Sequence, residues 1–199
     1  LVPGQISRLP LAELFGARNT TLTLAQFADR LADMPLVYQP GTKWSYSVGL
    51  DLLGRVIEVV SGKPFDTFLQ ERLFDPLGME STWFRVPQSQ IGRLTTNYGV
   101  MQGVLLPLDP GAASVFAMRP AFPFGGSGLV SSPRDYDRFL RMLLGFGMFE
   151  GKRVMSENAV RVGTSNLLPA GISTVGTFAT GGGFGAGGRW WPGFQRYRS

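Results

Sequence analysis

Residues 50–60, LDLLGRVIEVV, constrain this chain more than any other stretch. Seven of the eleven are apolar: Leu50, Leu52, Leu53, Val56, Ile57, Val59 and Val60. At about 3.6 residues per turn they cover most of a helix circumference. Asp51, Arg55 and Glu58 are the charged exceptions, and spacings of four and three line them up on one stripe. The pattern predicts a core helix from about Ser47 to Val60, stopped at Ser61-Gly62. A chain of 199 residues, 44% hydrophobic and 17% charged, can supply the core that such a helix needs. Yet Tyr46 stands at its mouth, where a phenol has no obvious place in an apolar core.

The side-chain inventory narrows the chemistry. There are no cysteines and no histidines. That removes disulfides, thiolate metal sites, a cysteine nucleophile, the Ser-His-Asp triad and the His-based zinc sites. Acid–base work here falls to Tyr, Lys, Asp or Glu. The net charge of +5 is uneven: residues 1–150 carry 13 basic and 13 acidic side chains, and residues 151–199 carry six basic and one acidic. The basic excess is scattered over a Gly-rich tail rather than arranged as a helical stripe, so no nucleic-acid partner is expected. No apolar run approaches the ~18 residues of a membrane span.

Local signals place further elements. TLAQFADRLADMP reads as a helix with a Thr23/Gln26 capping box and a stop at Pro35. PFDTFLQERLF reads as a helix opened by Pro64 and broken by DPLGM. STWFRV has strand character, and TTNYGVMQGVLLPL suggests a hairpin around Gly103. The connection 107–128, rich in Pro and Gly, is long enough to suggest that it lines a site. SSPRDYDRFLRMLL reads as a helix with a Ser132/Asp135 capping box and a buried face of Tyr136, Phe139, Leu140, Leu143 and Leu144. A turn at Glu150-Gly151 and a short helix capped by Ser156 follow. Residues 1–22 read as loop.

Three short motifs carry little. Gly183-x-Gly185-x-x-Gly188 has dinucleotide-fingerprint spacing, but no helix follows it, and a Gly-rich strand or loop is the better reading. Gly62-Lys63 precedes Pro64, so it is not a P-loop. Asn19-Thr20-Thr21 is a glycosylation sequon, a pattern frequent by chance.

The stretch PGTKWSYSVGLDLLGRVIEVVSGKPFDTFLQERLFDPLGMESTWF resembles the tyrosine-motif region of the serine β-lactamase and penicillin-binding-protein-like superfamily. The similar branch holds class C β-lactamases, D-aminopeptidases and β-lactamase-fold esterases. The matching pieces are Pro40-Gly41, Tyr46-Ser47-Val48, Leu53-Gly54, Ser61-Gly62 and Pro76-Leu77-Gly78-Met79. GGSGLVSSPRDYDRFLRMLL and GGGFGAGGRW resemble later segments of the same family.

The resemblance implies an α+β class and a β-lactamase/transpeptidase-like fold. Residues 1–189 would be the central part of that domain, mainly its helical region with part of the antiparallel sheet. Residues 190–199 would be an atypical tail from truncation or frameshift. It implies a serine hydrolase forming an acyl-enzyme on a carboxylic ester, β-lactam or amide, with no cofactor and no metal. Tyr46 would be catalytic, moving a proton to or from the nucleophile and leaving group. A phenol in water ionises only near pH ~10, so a nearby lysine is expected to stabilise the anion. Trp44 and Val48 would contact substrate. Val48 stands where β-lactamases of this kind carry Asn, which points toward a small-molecule ester, with Phe116, Phe122 and Phe124 as candidate walls of an acyl pocket. The family's Ser-x-x-Lys nucleophile motif occurs nowhere in the 199 residues. The expectation is therefore a fragment inactive alone, with a non-catalytic binding protein for a peptide, glycan or protein partner as the alternative.

Overall fold

The computed structural model describes residues 21–173 and 182–190. The Asn19 sequon, the loop reading of residues 1–20 and the tail beyond Trp190 lie outside them. The elements begin with α1 (Leu24–Ala32) and α2 (Gly49–Ser61). Next comes a continuous helical rod: α3 (Phe65–Leu69), a π-helical turn (Gln70–Phe74) and α4 (Asp75–Leu77). The hairpin β1 (Asn97–Met101) and β2 (Val104–Asp109) follows, then α5 (Pro133–Leu144). A second hairpin, β3 (Met148–Phe149) with β4 (Lys152–Arg153), leads into α6 (Glu157–Gly163). A third pairs β5 (Gly183–Phe184) with β6 (Arg189–Trp190).

Local chemistry accounts for most boundaries. Both halves of the Thr23/Gln26 capping box form at α1. Gly62 ends α2 in the left-handed region at φ 69°. The β1–β2 turn puts Gln102 and Gly103 at φ 50° and 80°, the type I′ pattern, and Glu150-Gly151 repeats it. Pro76 does not break the rod as expected. The Asp75 N–H reaches back five residues to the Gln70 carbonyl, and this widened turn sits where an α-helix would meet the proline ring. STWFRV forms no strand of its own; Trp83 alone bridges to Val130.

The rod joins two apolar clusters. In the first, Leu24, Phe27, Phe65, Phe84, Phe122 and Phe124 are buried, with Val48 and Ile57 against them. The rings of Phe122 and Phe124 stack at 4.0 Å, and Phe27 meets Phe122 at 5.2 Å. Full burial of one such ring stabilises by about 2–3 kcal/mol. Phe122 and Phe124 thus pack in the core. In the second cluster, Phe74, Leu77, Met79, Met142, Phe149 and Val160 meet between the rod, α5, the β3–β4 hairpin and α6. Leu69 touches both clusters.

Two helices lie otherwise than their patterns predict. The charged stripe of α2 faces inward: Asp51 and Gly54 are buried, and Glu58 accepts from the Phe65 N–H at 3.2 Å. Leu52, Leu53, Val56, Val59 and Val60 are exposed among the described residues, Val60 at 82%. On α5, Phe139 and Leu143 pack against the second cluster as expected, but Tyr136, Leu140 and Leu144 are exposed, and Asp135 and Met142 take the most buried positions. The cause is Asp135. Ser132 caps its N–H at 3.1 Å, but the other half of the expected box is missing. Its carboxylate instead crosses 54 residues to accept from the Ser81 N–H at 2.7 Å and the Thr82 hydroxyl at 2.8 Å. Those bonds hold the first turn of the helix against the Ser81-Thr82 segment.

Asp135→Ala removes the acceptor of the half-buried Ser81 N–H and leaves the buried Thr82 hydroxyl with only Ser131 Oγ, at a cost of about 2 kcal/mol. Asp137→Ala, on the exposed side of the same helix, should change stability by less than ~0.5 kcal/mol. Urea unfolding of both variants checks this; equal shifts would show that Asp135 does not anchor α5.

Candidate functional site

The segment ahead of α2 is shaped by a turn. Gly41 sits at φ 78° after Pro40, and Thr42 donates its N–H to the Gln39 carbonyl at 3.2 Å and its hydroxyl to the same oxygen at 2.7 Å. This is the Pro-then-Gly arrangement of a type II turn. The chain then runs without helical bonds to Val48, the N-cap of α2. Ser47 Oγ accepts from the Gly49 N–H at 3.3 Å and completes the entry to the helix.

The three residues expected at the site have different surroundings. Tyr46 is 69% exposed, so its phenol stands at the surface at the helix mouth. Trp44 is half-buried, with its ring centroid 6.4 Å from that of Tyr46. Val48 is half-buried and packs against the first apolar cluster. Lys43, three residues before Tyr46, lies over the Tyr38 ring at 4.7 Å, whereas Lys63 lies past the far end of α2 and pairs with Glu71.

A further ring comes from the other end of the described chain. Phe184 of β5 meets Trp44 at 5.7 Å, which makes a row of Tyr46, Trp44 and Phe184. Asn166 holds Phe184 in place: its Oδ1 accepts from the Phe184 N–H at 3.0 Å and from the Leu168 N–H at 3.2 Å. The Leu167 N–H donates to the Phe184 carbonyl at 2.8 Å. Phe184 and Asn166 were not legible as site residues from sequence; an Asn ahead of a Gly-rich strand is their only signal.

The same hairpin explains its glycines. A Cβ on Gly185 would lie 2.6 Å from the Gly163 carbonyl oxygen and 3.0 Å from that of Ser165. The Ala186 N–H donates to Gly163 at 2.9 Å and the Gly185 N–H to Gly188 at 2.8 Å. These amides are occupied by the chain's own carbonyls and do not cradle a phosphate. Gly185 serves close approach to the end of α6, while a Cβ on Gly187 or Gly188 would meet nothing within 4 Å, and the reading as a Gly-rich strand or loop holds. Among the described residues no cluster of acidic side chains is arranged to hold a metal, and no helix is long and apolar enough to cross a membrane.

The sequence model of the Beta-lactamase family matches residues 6–195. The chain belongs to that family. Penicillin-binding protein 4 of Amycolatopsis lactamdurans is 34% identical over 81% of this chain and 42% of its own length. Lovastatin esterase of Penicillium rubens is 34% identical over 60% of this chain and 30% of its own length. The solved structure of EstCE1, titled a hydrolase with promiscuous acyltransferase activity, superposes with a TM-score of 0.69 at 25% identity, covering 87% of this chain and 47% of that one. The β-lactamase/transpeptidase-like fold expected from the tyrosine motif is therefore borne out, with mixed helices and small antiparallel sheets covering part of the larger fold. The chain spans about a third of the length of the curated relatives it matches.

Gly185→Ala forces the hairpin away from α6. We expect a loss of about 2 kcal/mol, in the range of mutations that strain a packed backbone. Loss of the Trp44–Phe184 ring contact should accompany it, read as a change in the aromatic side-chain resonances of Phe184 by NMR. Unchanged stability and shifts would show that this glycine does not seat the hairpin.

Proposed function

We propose that this Beta-lactamase family chain carries the tyrosine side of a serine-hydrolase site that acts through an acyl-enzyme on a carboxylic ester. Amides and β-lactams are the related acyl substrates. The observation that carries the reading is Tyr46, an exposed phenol at the mouth of α2 with Trp44 beside it, inside a family match that spans most of the chain. In this reading the serine oxygen attacks the acyl carbon and its proton passes to the Tyr46 oxygen. The proton then goes to the departing alcohol, and water releases the acid. A tyrosine base suits a chain with no histidine.

Trp44 and Phe184 form an apolar wall beside the phenol, suited to the hydrocarbon part of an ester. Val48 offers neither donor nor acceptor, and its packing on the core leaves only part of it for substrate. A polar substrate group held against it would lose a partner, at about 1–3 kcal/mol. The relatives named as an esterase and as a hydrolase with acyltransferase activity support the ester reading. Since Ser-x-x-Lys is absent from residues 1–199, the nucleophile and its lysine would come from elsewhere in a longer polypeptide. That same absence favours, as second reading, a non-catalytic β-lactamase-like binding protein.

Tyr46→Phe in the full-length enzyme should lower kcat by about 10²–10⁴-fold, the range for loss of a positioned acid–base group, with little change in melting midpoint. Turnover close to wild type would return Tyr46 to a structural role. The ester reading is checked separately by kcat/KM on a p-nitrophenyl short-chain ester against a chromogenic cephalosporin. We expect the ester to be preferred; a clear preference for the cephalosporin overturns it.

A further inference from the structure

The first turn of α2 holds a second buried carboxylate. Asp51 is 8% exposed, and its Oδ1 accepts from the Gly126 N–H at 3.0 Å, a bond that spans 75 residues. The two segments touch backbone to backbone. A Cβ on Gly125 would lie 2.0 Å from the Leu50 carbonyl oxygen, and one on Gly126 would lie 3.4 Å from the Asp51 carboxylate. Asp51 occupies the third helical position, where a carboxylate ordinarily reaches back to its own N-cap. Here Val48 is the N-cap and has no side-chain cap bond; the local side-chain bond at the entry is the 3.3 Å one from the Gly49 N–H to Ser47 Oγ. The helix start is held from outside as well, by the seat of the Gly125-Gly126 segment.

We propose that Asp51 is the positioning residue of the Tyr46 site. Its carboxylate locks the first turn of α2 onto the Gly125-Gly126 segment. That lock fixes where the short extended run Trp44–Val48 leaves the helix, and hence where the phenol stands. A carboxylate in this place suits the task for two reasons. It lies at the positive end of the helix dipole, and a charged acceptor makes a stronger bond to an amide than a neutral one. On the other side Gly125 admits a backbone approach that no side chain would permit. The inference rests on the proton-transfer reading of Tyr46.

The test uses the full-length enzyme and four variants: Asp51→Ala, Asp51→Asn, Tyr46→Phe and Asp51→Ala with Tyr46→Phe. A displacement of about 1 Å can cost ~10²-fold in turnover, so Asp51→Ala should lower kcat by about that factor with KM little changed. Asp51→Asn retains an acceptor oxygen and should recover most of the loss. The decisive result is the double variant. If Asp51 acts through Tyr46, it falls no further than Tyr46→Phe alone. If Asp51→Ala does not fold, Gly125→Ala, whose methyl would lie 2.0 Å from the Leu50 carbonyl oxygen and so push the segment off the helix, is paired with Tyr46→Phe and read in the same way. Losses that add, or an Asp51→Ala enzyme with wild-type kcat, overturn the inference while Tyr46→Phe still tests the function. A fully active Tyr46→Phe enzyme overturns both.

Discussion

The described part of this protein depends on two aspartates that each occupy the first turn of a helix and bond to a distant segment. Asp51 of α2 reaches the Gly126 amide, and Asp135 of α5 reaches Ser81 and Thr82. A carboxylate withdrawn from water is strongly unfavourable unless hydrogen bonds replace its hydration. Each buried aspartate therefore admits few orientations of its helix. Apolar packing is non-directional and tolerates many. The two aspartates select among the ways in which the phenylalanine-rich clusters might be assembled.

The hydrogen bond to Gly126 also explains why α2 lies with its charged stripe inward. Asp51 points to the Gly125-Gly126 segment, and Glu58, two turns on, accepts from the Phe65 N–H and pairs with Arg55 at 3.2 Å. Between them Gly54 brings the helix close to Phe65 and Leu24, with a virtual Cβ 3.3 Å from the Phe65 ring. A helix held by polar groups along one stripe must present the opposite side elsewhere. Its leucines and valines, which look like the core of the molecule in sequence, stay exposed to between 37% and 82% and join neither buried cluster.

Glycine does the complementary work of letting backbones touch. Gly125 meets the Leu50 carbonyl, Gly147 meets that of Met155 and Gly185 meets that of Gly163. Each contact brings together segments that no side chain could have linked so closely. The last of them seats the hairpin that delivers Phe184 to Trp44. The aromatic row beside Tyr46 thus owes its third member to a backbone contact made well away from the phenol.

Much of this was legible in the sequence because it depends on neighbours a few residues apart. The Thr23/Gln26 box, the Gly62 stop, the turns at Gly103 and Gly151 and the Ser156 cap are local hydrogen-bond and dihedral choices, and all appear where the residues place them. The tyrosine motif was legible as well, since its spacing around Pro40-Gly41 and Leu53-Gly54 resembles that of the family to which the chain belongs. Tertiary structure alone decided which face α2 turns inward and which residues of α5 lie deepest. Period 3.6 says that Asp51, Arg55 and Glu58 share a stripe, but not that the stripe is buried, because the answer lies in an amide 75 residues away. Long-range packing likewise brought Phe122 and Phe124 together with Phe27, and Phe184 beside Trp44, without any mark in their own stretches of chain. Sequence determined the local geometry; the long-range hydrogen bonds and glycine contacts decided its orientation.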